Sequence, residues 1–254
     1  MWKHLWVIAL VAGGAVAQEE EASSDETTLQ IENEDNWLHG WSGSAEVGLN
    51  GSDGNTERLN LRAGIGGERD TSKMRTTFDL TYSYAEDDGE DTENRFRAKG
   101  FNEWKIEDPW SLFVQGSATY DEFQDWEWLL TAAGGVGYKF IDNDKTFLQG
   151  LLGAGISKEI KGTKNEIVPE GLIGLDFNHK LTERSEIYAD FTFYPALDNF
   201  GPYRFEGNAG YKVLLDEAMN LSLKLGISDR YDSEPGEGFK RNDIDYFAVM
   251  AFDW

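Results

Sequence analysis

Apolar and polar side chains alternate, residue by residue, through most of this chain. The clearest run is DIDYFAVMAFDW, from Asp243 to Trp254, where every second side chain is aromatic or apolar. A period of two places successive side chains on opposite faces of a β-strand, so each run predicts a strand with one apolar face. About twelve runs of roughly ten residues follow one another, and this is the length that a tilted strand needs to cross a bilayer.

Such runs fit a soluble β-sandwich or a membrane barrel, and the connectors between them favour the barrel. Short connectors alternate with longer ones, as in barrels that have short periplasmic turns and longer outer loops. The short ones are Asp70–Lys73, Ile106–Pro109, Ile141–Lys145, Thr182–Arg184 and Asp216–Ala218. The longer ones are Gly51–Glu57, Glu86–Glu93, Lys158–Asn165, Asp198–Pro202 and Asp229–Asn242, with a brief one at Glu122–Asp125. We therefore predict an all-β, up-and-down antiparallel transmembrane β-barrel of about twelve strands.

The amino end carries an export signal. Lys3 and His4 precede an apolar run from Leu5 to Val11, and the triplet Ala15-Val16-Ala17 fits a cleavage site. This order predicts a cleaved signal peptide over residues 1–17. Residues 18–36 are rich in acids, without a basic residue, and predict a disordered tether in the periplasm. The barrel then occupies residues 37–254, and an even strand number places both termini on the periplasmic side.

Composition excludes several classes of function. The formal net charge is −24, so the chain has nothing with which to neutralise a run of phosphates, and we predict no nucleic-acid partner. The sequence has no cysteine, which excludes a thiol nucleophile and a disulfide framework. The mean hydropathy of −0.53 does not argue against a barrel, because half of each strand faces the lumen and is polar.

Several segments resemble one known family. They are GWSGSAEVGLNGSDGNTERLNLRAG from Gly40, RTTFDLTYSYAEDDGEDTENRF from Arg75, YDEFQDWEWLLTAAGGVGYKFID from Tyr120, IVPEGLIGLDFNHKLTERS from Ile167 and NLSLKLGISDRYDSEPG from Asn220. Together they resemble the salt-induced outer-membrane protein family, also called domain of unknown function 481, over Gly40–Trp254. The resemblance implies an outer-membrane β-barrel of a Gram-negative-type cell, and it brings no catalytic or ligand residues.

The sequence gives little support for lipid hydrolysis or for a metal site. Outside the signal peptide the histidines are His39 and His179, and neither has a serine where a lipid-hydrolysing barrel would need one, so no enzyme is predicted. Six carboxylates lie in Glu86–Glu93, enough oxygen to hold Ca²⁺ or Mg²⁺ weakly, but without the order of an EF-hand. No metal site or cofactor is predicted, and whether this segment binds divalent cations is left open.

The interior of the barrel is the candidate functional site. The side chains predicted to line the lumen are Arg62, Arg75, Asp79, Arg95, Arg97, Lys99, Asp176, Asp190, Arg204, Glu206, Lys212 and Lys224. Four of them, Arg62, Arg75, Arg95 and Arg97, come from consecutive strands and predict a basic wall that attracts small anions. The tryptophans predicted to form a girdle at the membrane interfaces are Trp41, Trp104, Trp110, Trp126, Trp128 and Trp254.

Three functions remain open at this point. The first is a narrow passive channel for small hydrophilic or anionic solutes. The second is a non-conducting structural barrel that responds to osmotic or salt stress, and the third, which we favour least, is a lipid-modifying enzyme. The expected partners are outer-membrane lipid and lipopolysaccharide, and the barrel assembly machinery, which would bind the C-terminal strand. Small solutes are possible further partners.

Overall fold

The structure is a computed structural model that describes residues 40–52, 58–162 and 165–254, without the side chains of 50–52. The predicted signal peptide, the predicted tether and His39 lie outside these residues. The strands are β1 (Ser42–Ser52), β2 (Arg58–Asp70), β3 (Met74–Asp87), β4 (Glu90–Glu107), β5 (Trp110–Asp121), β6 (Trp128–Asp142), β7 (Thr146–Ile160), β8 (Ile167–Thr182), β9 (Ser185–Pro195), β10 (Tyr203–Asp216), β11 (Leu221–Asp232) and β12 (Asn242–Asp253). Among the described residues no helix is long and apolar enough to cross a membrane.

Each strand pairs antiparallel with the next one along the chain, and β12 pairs with β1. This ring closes the sheet, so the predicted up-and-down barrel of about twelve strands is confirmed. The outer wall exposes apolar side chains along its strands, among them Leu80, Leu130, Leu152, Ile173 and Phe191. A closed sheet leaves no free edge and an apolar outer wall suits lipid, as a transmembrane barrel requires.

The two ends of the barrel have different connectors. At the terminal end, where Ser42 and Asp253 lie, the strands are joined by the short turns 71–73, 108–109, 143–145, 183–184 and 217–220. At the opposite end, the loop end, the described connectors include the longer loops 122–127, 196–202 and 233–241. This is the alternation that the sequence predicts.

One predicted loop is wrong. The acidic segment Glu86–Glu93 is a continuous hairpin, because β3 runs to Asp87 and β4 begins at Glu90. Asp88 and Gly89 form the turn with positive φ angles of 52° and 80°. An Asp-Gly pair adopts this left-handed conformation easily and matches the twist of the two strands.

The barrel has an apolar core inside it. Phe101, Phe113, Leu172 and Tyr194 are buried together, and Ala133 and Leu151 pack against them. Phe101 and Phe113 stack with ring centroids 5.8 Å apart. We call the inner face of β5–β8, where most of this core lies, the packed wall, and the inner face of β9–β12 and β1–β4 the charged wall.

Glycines in β6 and β7 allow close backbone contact in the packed wall. A Cβ atom at Gly153 would lie 2.5 Å from the carbonyl oxygen of Gly134, and one at Gly155 would lie 2.6 Å from the Cβ of Ala133. Such distances exclude any side chain at these two positions. The glycines therefore let this part of the sheet curve tightly over the core.

The seam between β1 and β12 is the shortest ladder in the ring. Its pairs run from Ser44 with Asp253 to Val47 with Met250. By contrast, β1 pairs with β2 over its whole length, from Ser42 to Ser52. Beyond Val47 and Met250, toward the loop end, the two strands are paired only with their other neighbours.

Candidate functional site: the barrel lumen

The barrel encloses a cavity of about 1310 Å³ beside the packed wall. At the terminal end its lining includes Glu68 and the turn 143–145, and at the loop end it includes Asp198, Glu234 and Lys240. The lining therefore extends from one end of the barrel to the other. The polar inner faces of the strands supply most of this lining.

Eleven of the twelve side chains predicted to face the lumen line this cavity. They come from β2, β3, β4, β8, β9, β10 and β11, on the parity opposite to the lipid-facing side chains. The exception is Lys212, whose Nζ atom lies 2.8 Å from Asp253 Oδ1, near the terminal end of the seam. The lumen is thus built from strands that are far apart in sequence.

An ion pair crosses the middle of the lumen. Arg97 on β4 donates to Glu206 on β10, a strand halfway around the ring. The Nη1 atom of Arg204 lies 3.1 Å from the same carboxylate, and its Nε and Nη2 atoms each lie 2.8 Å from Glu170. The Arg204 guanidinium also lies over the Tyr194 ring, 3.8 Å from its centroid. These side chains narrow the cavity and connect its two walls.

The predicted basic wall is neutralised by carboxylates. Arg75 lies 3.4 Å from Asp176 and 3.6 Å from Glu103. Arg95 is surrounded by Glu93, Asp121 and Asp245, with nitrogen–oxygen distances of 2.8 to 2.9 Å. Together with the Arg97–Glu206 pair, these contacts remove the excess positive charge that the sequence suggested for this face. Glu103, Asp121 and Glu93 lie on the adjacent or the same strand as the arginines that they neutralise. Asp176, Asp245 and Glu206 belong to remote strands, so local spacing could not reveal them.

Arg62 differs from these arginines because it forms no ion pair with any described residue. Its guanidinium lies 4.5 Å from the centroid of the Phe247 ring, and its Nη1 atom lies 3.3 Å from the Ser83 hydroxyl. Both Arg62 and Phe247 line the cavity.

Acidic side chains outnumber basic ones in the lining of the cavity as a whole. Asp176 and Asp190 are direct neighbours on β8 and β9. Asp190 accepts a hydrogen bond of 3.0 Å from Asn208, and Asp79 accepts one of 3.1 Å from Thr81. Lys99 also lines the cavity and forms no ion pair with a described residue. The lining as a whole, with the turns and loops at its two ends, therefore carries a net negative charge.

The packed wall holds interior polar residues that the sequence did not single out. Gln149 on β7 is fully buried and donates to Glu103 on β4, and its Nε2 atom lies 3.4 Å from the Ser111 hydroxyl. Gln115 on β5 donates to Tyr194 on β9 at 3.2 Å. These bridges close one side of the interior. A signal did exist for Phe113 and Gln115, which share the inward parity of β5, but an apolar residue on that parity was not expected.

Three comparisons place the chain among known proteins. The model of DUF481, a protein family of unknown function, matches residues 45–254. The chain belongs to the DUF481 family. The comparison with curated proteins gave no match. Similar solved structures include two porins and a translocator domain.

The KdgM porin in complex with disordered oligogalacturonate is 7% identical, with a TM-score of 0.45, and the match covers 83% of this chain and 98% of that one. The NanC porin is 7% identical, with a TM-score of 0.44, and the match covers 84% and 96%. The translocator domain of the autotransporter NalP from Neisseria meningitidis is 13% identical, with a TM-score of 0.43, and the match covers 87% and 90%.

The predicted girdle tryptophans of this DUF481 barrel lie near its ends. Trp104, Trp110 and Trp254 are exposed at the terminal end, where Trp41 also contacts Phe78 at 5.6 Å between ring centroids. Trp128 lies near the loop end, 5.4 Å from Tyr120. Trp126 precedes β6 in the loop 122–127 at the loop end, and it also lines the cavity.

His179 is the histidine that the described part of the DUF481 barrel contains, and it contacts a threonine and a phenylalanine. The Nδ1 atom of His179 lies 2.8 Å from the Thr146 hydroxyl, and its ring stacks on Phe177. Residues 40–52, 58–162 and 165–254 contain no group of three or more His, Asp or Glu side chains that could hold a metal ion. The acidic hairpin around Asp88 lies within these residues.

Proposed function

We propose that this protein is a narrow passive channel for small hydrophilic solutes in the outer membrane. The observation that carries the proposal is the cavity of about 1310 Å³, whose lining extends from the terminal end to the loop end. A polar, charged lining that reaches both ends of the barrel supports a path for hydrophilic solutes. We propose no enzymatic activity.

The charge of the lumen favours cations and neutral polar solutes over the anions that the sequence suggested. Arg75, Arg95 and Arg97 are each paired with carboxylates, and acidic side chains outnumber basic ones in the lining. A constriction with a negative field raises the local concentration of cations. The Arg97–Glu206 pair crosses the path, so solutes would have to be small.

The same ion pair supports a second candidate, the non-conducting barrel that stabilises the envelope under osmotic or salt stress. Arg97 and Glu206 join opposite strands, and Arg204 joins the same carboxylate to Glu170. If these pairs never separate, they close the lumen and act as a brace. Conduction distinguishes the two candidates.

The proposed placement follows from the shape of the barrel. Its apolar outer wall would contact outer-membrane lipid and lipopolysaccharide, its terminal end would face the periplasm, and β12 would present the assembly signal. Cell fractionation should place the protein in the outer membrane, with heat-modifiable mobility in mild detergent. Recovery as a soluble periplasmic protein would contradict this placement.

The test of the channel is conductance in planar lipid bilayers. We expect small, cation-leaning conductance, and the double variant Arg97→Gln with Glu206→Gln should raise it by roughly twofold or more by removing the crossing pair. Asp79→Asn with Asp190→Asn, which leaves that pair intact, should instead shift the reversal potential in a KCl gradient toward anions. A silent bilayer for wild type and both variants, with folding confirmed, would refute the channel and favour the brace.

A further inference from the structure

Two loops from opposite sides of the ring meet over the mouth of the cavity at the loop end. The loop 122–127 joins β5 to β6, and the loop 233–241 joins β11 to β12, six strands further around the ring of twelve. Gln124 in the first loop donates to Asp243, the second residue of β12, with a nitrogen–oxygen distance of 2.7 Å. We call the two loops, together with Asp243, the strap.

The tip of the second loop lies directly against the first loop. A Cβ atom at Gly236 would lie 2.5 Å from the Cβ of Asp125, so a glycine is needed for the two loops to approach this closely. Gln124 and Asp125 line the cavity from one side of the ring, and Glu234 and Lys240 line it from the other. The strap therefore crosses the mouth of the cavity and does not follow its rim.

The bases of both loops are fixed to the barrel. In the first loop, the amide of Glu122 donates to the carbonyl of Asn94 at 3.2 Å. In the second loop, the amide of Asp232 donates to the carbonyl of Arg241 at 2.8 Å, which joins the two ends of the loop. The tips can therefore separate while the strands of the barrel stay in place.

The contact between the tips is polar. Phe123 and Phe239, the aromatic side chains in these two loops that lie nearest to the contact in sequence, are 39% and 38% exposed, so neither ring is buried between the loops. Hydrogen bonds at a wet mouth exchange with water and contribute little net stability. Segments without buried apolar contacts are the parts of a protein that open most readily. The strap is therefore a closure that thermal motion can open.

We propose that the strap sets the size limit for hydrophilic solutes that enter the lumen from the loop end. While the tips are joined they divide the mouth, and small solutes pass beside them; when the tips separate, larger solutes pass. Gln124, Asp243 and Gly236 are the residues that let the strap close. The strap deepens the proposed channel and rests on it, because it selects the solutes that the channel admits.

A cysteine inside the lumen reports which molecules pass the strap, and the chain has no cysteine of its own to interfere. Thr192 lines the cavity on β9, where it pairs with Glu206, and its side chain is half-buried. The full-length Thr192→Cys protein, folded in detergent, is treated with N-ethylmaleimide or with a neutral maleimide linked to maltotriose. The ratio of the two labelling rates measures the size limit. Entry from the terminal end does not depend on the strap, so it contributes equally to every strap variant.

Two substitutions of Asp243, each made together with Thr192→Cys, test the hydrogen bond that joins the strap. Asp243→Ala removes the acceptor for Gln124 and should raise the rate of the large reagent relative to the small one by about fivefold, as the loss of a hydrogen bond predicts. Asp243→Asn removes the same charge but keeps a carbonyl oxygen for Gln124, so its ratio should stay within about twofold of the parent. Equal ratios for the two variants would overturn the role of this contact.

A shorter loop tests the strap without relying on one side chain. Because Asp232 and Arg241 already pair at the base of the second loop, an Asn-Gly turn, which suits antiparallel strands, can replace residues 233–240. This variant should raise the ratio by about tenfold or more, since the strap is then absent. An unchanged ratio, with folding confirmed by heat-modifiable mobility, would overturn the size limit.

Conductance in planar bilayers distinguishes a failure of the strap from a failure of the channel. Conduction together with an unchanged labelling ratio in the shortened variant would refute the strap alone. A raised ratio in a barrel that conducts no ions would refute the channel and leave the strap as the filter of the lumen.

Discussion

The packed wall and the charged wall differ in what fills the barrel interior beside them, close-packed side chains on one and ion pairs around a cavity on the other. On the packed wall, Phe113 is 2% exposed and Leu172 is 1% exposed, and glycines bring the strands of β6 and β7 into close contact. On the charged wall, side chains such as Arg97, Glu206 and Lys224 form ion pairs around an open space. Close packing stabilises a shape, whereas paired charges tolerate water. One barrel can therefore have a rigid side and a wet side.

The largest expected effect comes from a methyl group on the packed wall. Gly155→Ala should abolish assembly or destabilise the barrel by about 3 kcal/mol or more, because the added Cβ would lie 2.6 Å from the Cβ of Ala133. Gly100→Ala is the control, since a Cβ there has nothing within 4 Å. Reversible folding into lipid vesicles, followed by heat-modifiable mobility, measures both. Similar stability of the two variants would show that the packed wall is not tight.

The next effect compares the same truncation on the two walls. Phe113→Ala should destabilise the barrel by about 3–5 kcal/mol, as expected for a buried phenylalanine in a close-packed core. Phe247→Ala should lower the free energy of unfolding by clearly less, because Phe247 is half-buried and already lines the cavity. Urea titration of both variants in the same vesicles gives the difference. Equal destabilisation by the two truncations would show that the packed wall is no more tightly packed than the charged wall.

The smallest expected effect on stability is that of removing an entire ion pair from the charged wall. Arg97→Met with Glu206→Met should change the free energy of unfolding by about 1 kcal/mol or less, because the lost attraction is offset by the lost desolvation of both charges. Arg204 keeps its partner Glu170 in this variant. Glu206→Met alone is the reference and should be worse, since it leaves Arg97 without its carboxylate. A double variant less stable than that single variant would indicate that the pair braces the barrel.

The sequence predicted the fold well because strand parity is a local property. Alternation assigned Leu80 and Leu152 to the outer wall, and turn residues such as those at 71–73 marked the ends of strands. Local pattern also produced one error. The acids of Glu86–Glu93 suggested a loop, although the Asp88-Gly89 turn lets both strands continue.

The candidate site was predictable only as a set of side chains. Parity indicated that Arg95 and Arg97 face inward, but their partners Asp245 and Glu206 lie more than one hundred residues away. The packed wall was missed for a different reason. In a barrel an apolar side chain is expected to face lipid, whereas Phe113 and Leu172 are buried inside this one, where Gly153 and Gly155 let β6 and β7 approach closely.

The closing ladder has a consequence for how the barrel forms. Every other strand pair joins neighbours in the chain, so its hydrogen bonds can form outward from the connecting turn. The closing pair instead joins Gly43 to Trp254, with N–O distances of 2.9 and 3.1 Å in the closed ring. Contacts so distant in sequence are slow to form, because the loop that they close has a large entropy. The open twelve-stranded sheet should therefore form first, and the pairing of β1 with β12 should close the ring last. Forced unfolding should begin where β1 meets β12.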